Sequence, residues 1–479
     1  MTEHLTRSFR NGQLPELAAL LKALDIDSRK FGDLRADGDR RLIRSPHRLV
    51  DAVSTAQLLI GAAAAQIWHD GTGLRSDIEI DTIDALHSLH ASHYVWQQGA
   101  YFEVGAEYVQ VNGFHPTRDD RQILLCAGPP YQKLLNGYLN FFDCGNNRAS
   151  IDKATSNYTA EDLEAALSAL GLPACRAFSP EEWRTHPQGK ILSSTPVIEI
   201  EKLADGDPVP IHAGKGTLLD GVRVLDFTHV LAGPRSTQTL AEFGAEVLHI
   251  SSPQHPDTLA QHLGVDMGKY CAYLDLHDQA QRERMHALAA HADVFASSYR
   301  TSVSDRFGLS PATLAARSRK GIVVMSVNAY GHAGVWADRG GFDPNGQAAT
   351  GFASTEGGGV MTPALSPVFY LADLMSGYFA AAGMLAALSR RAREGGSYHV
   401  KVSLARSTMW VQDLGLLPAS EFTSLPSKDN YPHRVKTSQT TYGEVKTLAN
   451  PLRFSSLPVV HRDRLVPYGS DAAEWRTAG

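Results

Sequence analysis

The sequence predicts an α/β protein in which a Rossmann-like parallel sheet with flanking helices is joined to a smaller α+β domain. Two observations carry this prediction. Between Leu218 and Trp410, short apolar runs alternate with helical stretches of about a dozen residues, which is typical of parallel βαβ units. The chain also has 479 residues, and since domains usually hold roughly 100–200 residues, more than one is expected.

The strands of the predicted parallel sheet follow one another from Leu218. The run LLDGVRVLDF is a buried strand, a turn at Ala232–Pro234 leads into a helix that reaches Phe243, and GAEVLHI is the second strand. The strings ADVFASS and KGIVVMSVNAYG continue the pattern. Ligands of such sheets bind at the carboxyl ends of the strands, near the topological switch point. Neither GxGxxG after a strand nor GxxxxGK[ST] occurs, so a standard dinucleotide or P-loop site is not predicted.

The chain is predicted to consist of four segments. The first segment is helical to about Leu89, is followed by a β-like region and is then helical again. The second segment is rich in Gly, Pro and Asp, as linkers are. The third carries the Rossmann-like sheet and the fourth closes the chain. Their bounds are 1–205, 206–217, 218–415 and 416–479.

An internal repeat links the first and third segments. Asp51-Ala-Val-Ser and Asp373-Leu-Met-Ser are 322 positions apart, and the same offset, without a gap, matches glycines, alanines and a following strand. A repeat of this length indicates duplication of a substructure, whereas chance matching of Ala-rich helices is the alternative.

Composition limits the classes of partner. The net charge of −6 provides no global field for nucleic acid, so an anionic ligand needs a local basic site. The four cysteines lie far apart without a CxxC pair, and the charged N-terminus lacks an apolar signal region. Leu374–Ser389 is shorter than the roughly 20 residues of a membrane span and is interpreted as a buried helix. A cytoplasmic protein that binds neither nucleic acid nor membrane is expected.

Several longer strings follow each other in a recognisable order. They are LLDGVRVLDFTHVLAGPRSTQTLAEFGAEVLHI, GKYCAYLDL, ADVFASSYR, RFGLS, IVVMSVNAYGHAG, GFDPNGQAATG and LADLMSGYFAAAGMLAAL, and together they cover about 200 residues. The chain thereby resembles the class III CoA-transferases, the family of formyl-CoA and carnitinyl-CoA transferases, to which the α-methylacyl-CoA racemases are related. HPTRDDRQI and SPEEWRTHPQ are similar to the smaller domain of that family, which here precedes the nucleotide-fold part. The resemblance implies coenzyme A, acyl-CoA and carboxylic acid substrates, and a homodimer, with an interlocked pair as one arrangement.

The resemblance implies that Asp373 is the catalytic residue. Its motif, Ala-Asp followed by Gly at the start of an Ala-rich helix, holds the family's nucleophile, which forms an acyl-aspartyl anhydride and then an aspartyl-CoA thioester. A helix N-terminus stabilises such an anion. The alternative is a routine N-cap, and for the repeat mate Asp51 a cap is the better interpretation.

The resemblance also implies a set of residues that contact coenzyme A. Arginine and lysine side chains suit its phosphates, and small residues let the backbone approach the ligand. At one position a histidine replaces the usual arginine, and for the cations a solvated surface position is the alternative. The set is His229, Ala232, Gly233, Pro234, Lys269, Arg300 and Arg306.

Weaker predictions concern the substrate and the oxyanion. Asp343 could orient substrate, and Gly357, Gly358 and Gly359 could bring backbone N–H groups to a thioester oxyanion, a flexible surface loop being the alternative. Phe342 stands where the racemase relatives carry a histidine, and because it cannot transfer a proton, racemisation is disfavoured. The scattered histidines show no metal-ligand spacing, so no metal is expected.

Three functions remain after the sequence has been considered. The first is a CoA-transferase acting on a small or medium carboxylic acid. The second is an acyl-CoA lyase or isomerase on the same scaffold, which would keep Asp373 but need no acceptor. The third is a non-catalytic CoA-binding homologue, which the reordered halves and the histidine at position 229 favour.

Overall fold

The computed structural model describes residues 15–101, 109–128, 131–213, 216–418 and 430–476. The α-helices are α1 (Pro15–Ala23), α2 (Leu49–Thr72), α3 (Thr82–Ser88), α4 (Gln132–Phe142), α5 (Arg148–Thr155), α6 (Ala160–Ala169), α7 (Pro180–Thr185), α8 (Pro187–Ser194), α9 (Ala232–Glu242), α10 (Leu259–Val265), α11 (Gln279–Ala289), α12 (Thr301–Arg306), α13 (Pro311–Arg317), α14 (Asp343–Ala349), α15 (Phe352–Gly357), α16 (Leu371–Glu394) and α17 (Leu404–Asp413). The strands are β1 (Leu34–Asp37), β2 (Ile78–Asp81), β3 (Trp96–Gln97), β4 (Ala100–Tyr101), β5 (Gly113–Pro116), β6 (Gln122–Leu125), β7 (Ala174–Arg176), β8 (Glu199–Ala204), β9 (Arg223–Phe227), β10 (Glu246–Ser251), β11 (Tyr270–Tyr273), β12 (Val294–Ser297), β13 (Val323–Asn328), β14 (Ser397–Ser403), β15 (Val435–Thr440), β16 (Gly443–Leu448) and β17 (Leu452–Phe454). Short 3₁₀ turns lie at Ser28–Lys30 and Ala91–His93.

The largest sheet confirms the predicted Rossmann-like fold. Its seven strands have the order β11-β10-β9-β12-β13-β14-β8. The first six are parallel, as their buried Val, Leu and Ile runs require, and β8 pairs with β14 in the antiparallel sense. The strand order reverses between β9 and β12, so the ligand crevice of this sheet type is expected beyond their carboxyl ends.

Two long Ala-rich helices form the centre of the molecule. Helices α2 and α16 have 24 residues each, pack against each other and are long and apolar enough to span a membrane by length and composition alone. The apolar stretch of each helix is fully buried inside the protein, as in the core helices of soluble proteins. The buried helix predicted at Leu374–Ser389 is therefore confirmed. It is longer than predicted, because the prediction counted only the uncharged stretch and the last turn of α16 carries charged residues.

The smaller α+β part is also present. Strands β5, β6 and β7 form an antiparallel sheet, and α4, α5 and α6 pack on it around a separate apolar core. Two further sheets, β1-β2-β17 and β15-β16-β3-β4, combine strands from both ends of the chain. Strand β8, at the end of the predicted first segment, joins the large sheet, and residues 214 and 215 of the predicted linker lie outside the described residues.

Candidate active site

Asp373 is the third residue of α16. The N-cap position belongs to Tyr370, whose side chain makes no capping hydrogen bond, so Asp373 does not act as an ordinary N-cap. Its side chain is nearly buried, with 5% of the residue exposed. A negative charge in the first turn of a 24-residue helix is favoured by the helix dipole, which partly offsets the loss of solvent.

The carboxylate of Asp343 holds the N-terminus of α16. Its Oδ2 accepts the backbone N–H groups of Ala372 at 2.5 Å and Asp373 at 3.1 Å, and its Oδ1 accepts from the side-chain amide of Gln347 at 2.6 Å. Asp343 thus takes the place of a capping side chain, although it belongs to α14. Two buried carboxylates therefore share the start of the helix.

The pKa values of both carboxylates are raised. Burial, and then the charge of Asp343, raise the pKa of Asp373 well above its usual range. Burial also raises the pKa of Asp343 to about 6, against the opposing effect of the hydrogen bonds that it accepts. Strongly perturbed carboxylates in a cleft mark a candidate catalytic site.

Asp373 lies at the wall of a cleft beyond the carboxyl ends of β9 and β12. One cavity of about 250 Å³ is lined by Asp373, Ala232 and Arg300, among other residues. A second cavity of about 750 Å³ shares His229, Tyr299 and further lining residues with the first, so the two form one continuous cleft. The cleft therefore occupies the topological switch point of the sheet, where ligands of this fold bind.

Three exposed cations face this cleft, in addition to the partly buried Arg339, which lines the smaller cavity and is paired with Glu164. Arg300 lines the smaller cavity, whereas Arg306 and Lys133 line the larger one. All three are exposed, and none of them forms an ion pair with any residue that the structure describes. Positive charge that is not already neutralised by carboxylates is available for an anionic ligand.

The turn after β9 is held in an unusual conformation. Val230 has a φ of 66°, in the left-handed region that β-branched residues rarely adopt. Its N–H donates to Asp257 at 2.8 Å, and the N–H of His229 donates to the hydroxyl of Ser298 at 2.8 Å. Strain of this kind costs on the order of 1–3 kcal/mol and is typical of ligand-binding turns.

Comparison with known proteins agrees with this geometry. Residues 219–443, which include the turn after β9, Asp343 and Asp373, match the model of CoA-transferase family III. Over these residues the chain is similar to CoA-transferase family III.

Relatives of the chain carry transferase names. It is 30% identical over 259 residues to the acetyl-coenzyme A transferase of Hypoxylon pulicicidum, across 53% of this chain and 44% of that protein. It is 31% identical over 374 residues to an acyl-CoA transferase of Gibberella moniliformis, across 74% and 64%. With the acetyl-CoA:oxalate CoA-transferase of Acetobacter aceti it shares 31% identity over 201 residues, across 40% and 51%. The chain thus spans about half the length of the curated relatives that it matches.

A solved structure, a CAIB/BAIF family protein from Brucella suis, is 25% identical to this chain. The alignment covers 48% of this chain and 65% of that one, with a TM-score of 0.39.

Lys269 differs from its prediction as a residue in contact with coenzyme A. Its ammonium group is fully buried and donates to Asp226 at 2.9 Å, to Asp266 at 2.8 Å and to the carbonyl of Pro234 at 2.8 Å. The two carboxylates raise the pKa of Lys269 against the effect of burial. Asp226, His249 and Asp266 have the donor types of a metal site, but the ammonium group lies between the two carboxylates. Lys269 therefore holds the turn from its buried side, through the carbonyl of Pro234.

The predicted turn residues divide into two groups. His229 and Ala232 line the cleft, whereas Gly233 and Pro234 are buried behind it and line neither cavity. A Cβ at Gly233 would lie 2.5 Å from the Cβ of Thr228, so this glycine permits close packing within the turn. Burial lowers the pKa of His229, which is therefore neutral near pH 7 and supplies no charge to a phosphate.

The glycines Gly357, Gly358 and Gly359 do not form an oxyanion site. They line neither cavity, and the N–H groups of Gly358 and Gly359 donate to the carbonyl of Ser354 at the end of α15. Because these donors are already engaged, the oxyanion prediction is corrected. The left-handed φ of 85° at Gly358 shows instead that the run ends a helix.

Several cleft residues were not predicted from the sequence. Lys133 and Tyr131 come from the smaller part, and the Tyr131 hydroxyl donates to Asp257 at 3.0 Å. Phe342 lies in both cavities and stacks on Tyr131, with ring centroids 6.0 Å apart. Residues that meet only because the two parts pack together leave no local pattern, although Phe342 could have been found from its place next to Asp343.

Proposed function

We propose that this chain is a CoA-transferase that moves CoA from an acyl-CoA donor to a carboxylic acid acceptor, with Asp373 as its nucleophile. The observation that carries the proposal is the shape of the cleft. Arg306 and Lys133 line its larger cavity, and the carboxylate of Asp373 lines the smaller one. Coenzyme A has phosphates at one end and the thioester at the other, so it suits a cleft with charges at these two places.

The reaction runs through two covalent species on Asp373. Its carboxylate attacks the thioester carbonyl of the donor, the C–S bond breaks, and an anhydride and CoA thiolate result. The thiolate attacks the Asp373 carbonyl of the anhydride, which releases the donor acid and leaves an aspartyl-CoA thioester. The acceptor carboxylate displaces the thiolate from this thioester, and the thiolate then attacks the acceptor carbonyl of the new anhydride. The products are a new acyl-CoA and the free carboxylate of Asp373.

The chain's own contribution is to hold and desolvate the nucleophile. Asp343 fixes the first turn of α16 through two backbone hydrogen bonds, so Asp373 keeps one orientation toward the cleft. Near burial removes most of the water around its carboxylate, and a poorly solvated carboxylate is a stronger nucleophile once ionised. The near burial of Asp373 also limits the access of water to the anhydride and so reduces its hydrolysis.

The proposal is tested by trapping the intermediates. The protein is incubated with a panel that includes acetyl-CoA and succinyl-CoA, hydroxylamine is added, and peptides are mapped by mass spectrometry. A hydroxamate on the peptide that contains Asp373 is expected, with none in Asp373→Asn. The control Asp413→Asn removes a half-exposed carboxylate of a surface ion pair and should keep the adduct.

The same experiment separates the two other functions. A lyase or isomerase would convert acyl-CoA without an acceptor acid and without an adduct. A non-catalytic homologue would bind CoA, detected by calorimetry, and give neither adduct nor product. The unneutralised cations of the cleft support CoA binding in all three cases, whereas the paired carboxylates Asp343 and Asp373 favour the covalent transferase.

Substrate size, oligomeric state and location are part of the proposal. The cavity of about 250 Å³ next to Asp373 suits a small or medium acyl group rather than a long chain. The homodimer implied by the family resemblance stays a prediction, which sedimentation of the purified protein measures. The cytoplasmic location likewise stays a prediction, and imaging of the tagged protein in its own cells measures it.

A further inference from the structure

The two halves of the chain contain helix–strand units with the same dimensions. Helix α2 and helix α16 both have 24 residues, and their first and last residues are separated by the same 322 positions that separate Asp51 from Asp373. Each helix ends at a glycine with positive φ, Gly73 or Gly395, whose N–H donates to the carbonyl four residues earlier. A strand follows in each case. The repeat seen in the sequence is thus repeated as structure.

One close contact recurs at the same offset within both units. A Cβ on Gly61 of α2 would lie 2.6 Å from the Cγ2 of Ile78, and a Cβ on Gly383 of α16 would lie 2.6 Å from the Cγ1 of Val400. Each glycine therefore lets its helix approach its own following strand. Chance similarity of Ala-rich helices does not produce an identical helix–strand contact.

The strands around the two units have the same arrangement, and each half completes the sheet of the other. Strand β2 lies between parallel β1 and antiparallel β17, and strand β14 lies between parallel β13 and antiparallel β8. The equivalent residues Ile78 and Val400 pair with Phe454 and Ile200 on these closing strands. Strand β8 precedes the second unit in sequence, and β17 follows it, so the closing strands are exchanged. The two units of this chain are therefore arranged like two subunits that exchange strands with each other.

The equivalent aspartates have opposite surroundings. Asp51 is held by Arg40 and by Arg48, whose Nε donates to its Oδ2 at 2.8 Å. It does not cap its helix, which corrects the sequence interpretation; the N-cap of α2 is Arg48, the position equivalent to Tyr370. Asp373, by contrast, forms no ion pair with any described residue and instead faces Asp343.

We propose that residues 34–81 are an inactivated counterpart of the Asp373 unit, in which Arg40 and Arg48 neutralise Asp51 and make it structural. The first unit then acts as a built-in partner that packs its helix on α16 and closes the shared sheets. Of the two equivalent aspartates, only Asp373 then remains as a nucleophile. The statement that Asp373 is the nucleophile rests on the proposed function, whereas the contrast between the two aspartates does not.

A matched pair of substitutions tests the contrast without any CoA chemistry. Asp51→Asn and Asp373→Asn are both isosteric, occupy equivalent positions and remove one charge, and the melting temperature is measured at pH 7.5 without ligand. Asp51→Asn leaves two arginines without their carboxylate and should lower it by about 5 °C, whereas Asp373→Asn replaces a buried carboxylate that has no cationic partner next to Asp343 and should raise it by about 1–2 °C. Shifts of the same sign would overturn the proposal.

A second measurement covers the case in which Asp51→Asn does not fold. In Arg48→Met, Asp51 loses one arginine but keeps its ion pair with Arg40. The melting temperature should therefore fall by a smaller amount, about 2 °C. In the wild-type protein, hydroxylamine mapping should give one adduct per chain and none on the peptide that contains Asp51. An adduct on Asp51 would refute its inactivation. Opposite melting shifts without an adduct anywhere would refute the proposed transferase and leave the structural contrast supported.

Discussion

Replacing Asp343 by Asn should move the acid limb of the pH–rate profile to lower pH. In the proposed mechanism the attacking group is the ionised carboxylate of Asp373, whose pKa is raised by burial and by the charge of Asp343. Activity is therefore lost as the pH falls through this raised pKa. When the neighbouring charge is removed, the pKa of Asp373 decreases, and the carboxylate stays ionised to a lower pH.

The size of the shift follows from the geometry. The Oδ2 of Asp343 lies 3.1 Å from the backbone N of Asp373. The two charges are therefore roughly 5–6 Å apart, given ordinary side-chain dimensions. At effective dielectric constants of about 20–40 the repulsion is roughly 1.5–3 kcal/mol, which corresponds to about one to two pKa units.

The same substitution should also lower the plateau at high pH. In Asp343→Asn a neutral amide oxygen replaces the carboxylate, so the hydrogen bonds from the N–H groups of Ala372 and Asp373 lose their charge assistance. The first turn of α16 is then held less firmly. A loss of about 1 kcal/mol corresponds to roughly fivefold in rate.

The assay is kcat/KM against pH, because this parameter reports the ionisation of the free enzyme. It is measured with the donor that gives the strongest adduct, and Asp413→Asn is the control that should leave the limb in place. If the plateau falls but the acid limb of Asp343→Asn coincides with that of the wild type, the charge of Asp343 does not act on Asp373, and the reasoning is wrong.

Three further predictions concern the cleft and its support. Lys269→Met leaves the charges of Asp226 and Asp266 buried without their cation and should lower the free energy of unfolding by about 3–5 kcal/mol, measured in urea. Unchanged stability would contradict the role of Lys269 in supporting the turn after β9. Arg306→Ala should weaken CoA binding about five- to tenfold in calorimetry at low salt, with a smaller difference at high salt, and an equal effect at both would argue against a phosphate contact. Gly383→Ala adds a methyl group that pushes α16 away from β14, and it should lower the free energy of unfolding by about 1–3 kcal/mol in urea. An unchanged free energy of unfolding would show that the helix and the strand adjust to the added methyl group without cost.

Much of the fold could be predicted because its signals are local. The alternation of apolar strands and helices predicted the parallel sheet, and the Ala-rich run after Asp373 predicted its buried helix. The constant offset between Asp51 and Asp373 also survives as two helices of equal length. Periodicity and small-residue content report which face of an element is buried, so such features are visible in sequence.

The wrong or missing site assignments concern contacts between distant elements. Lys269 was expected to face the ligand, but its ammonium group is buried on the other side of the turn, where it binds Asp226 of the distant strand β9 as well as the neighbouring Asp266. The glycines after Thr355 suggested free backbone donors, yet those donors end a helix. Lys133 gave no signal because it reaches the cleft only after the smaller part packs on the sheet.

The sequence by itself determined the type of sheet, the helix that carries Asp373 and the existence of the repeat, because each depends on hydrophobic spacing and small residues along a continuous stretch of chain. Only the tertiary structure decided which aspartate is neutralised by arginines and which one faces a second carboxylate. The physical reason is that the ionisation and reactivity of a buried carboxylate depend on the charges and hydrogen bonds within a few ångströms, and chain folding brings those groups from positions that sequence proximity does not reveal.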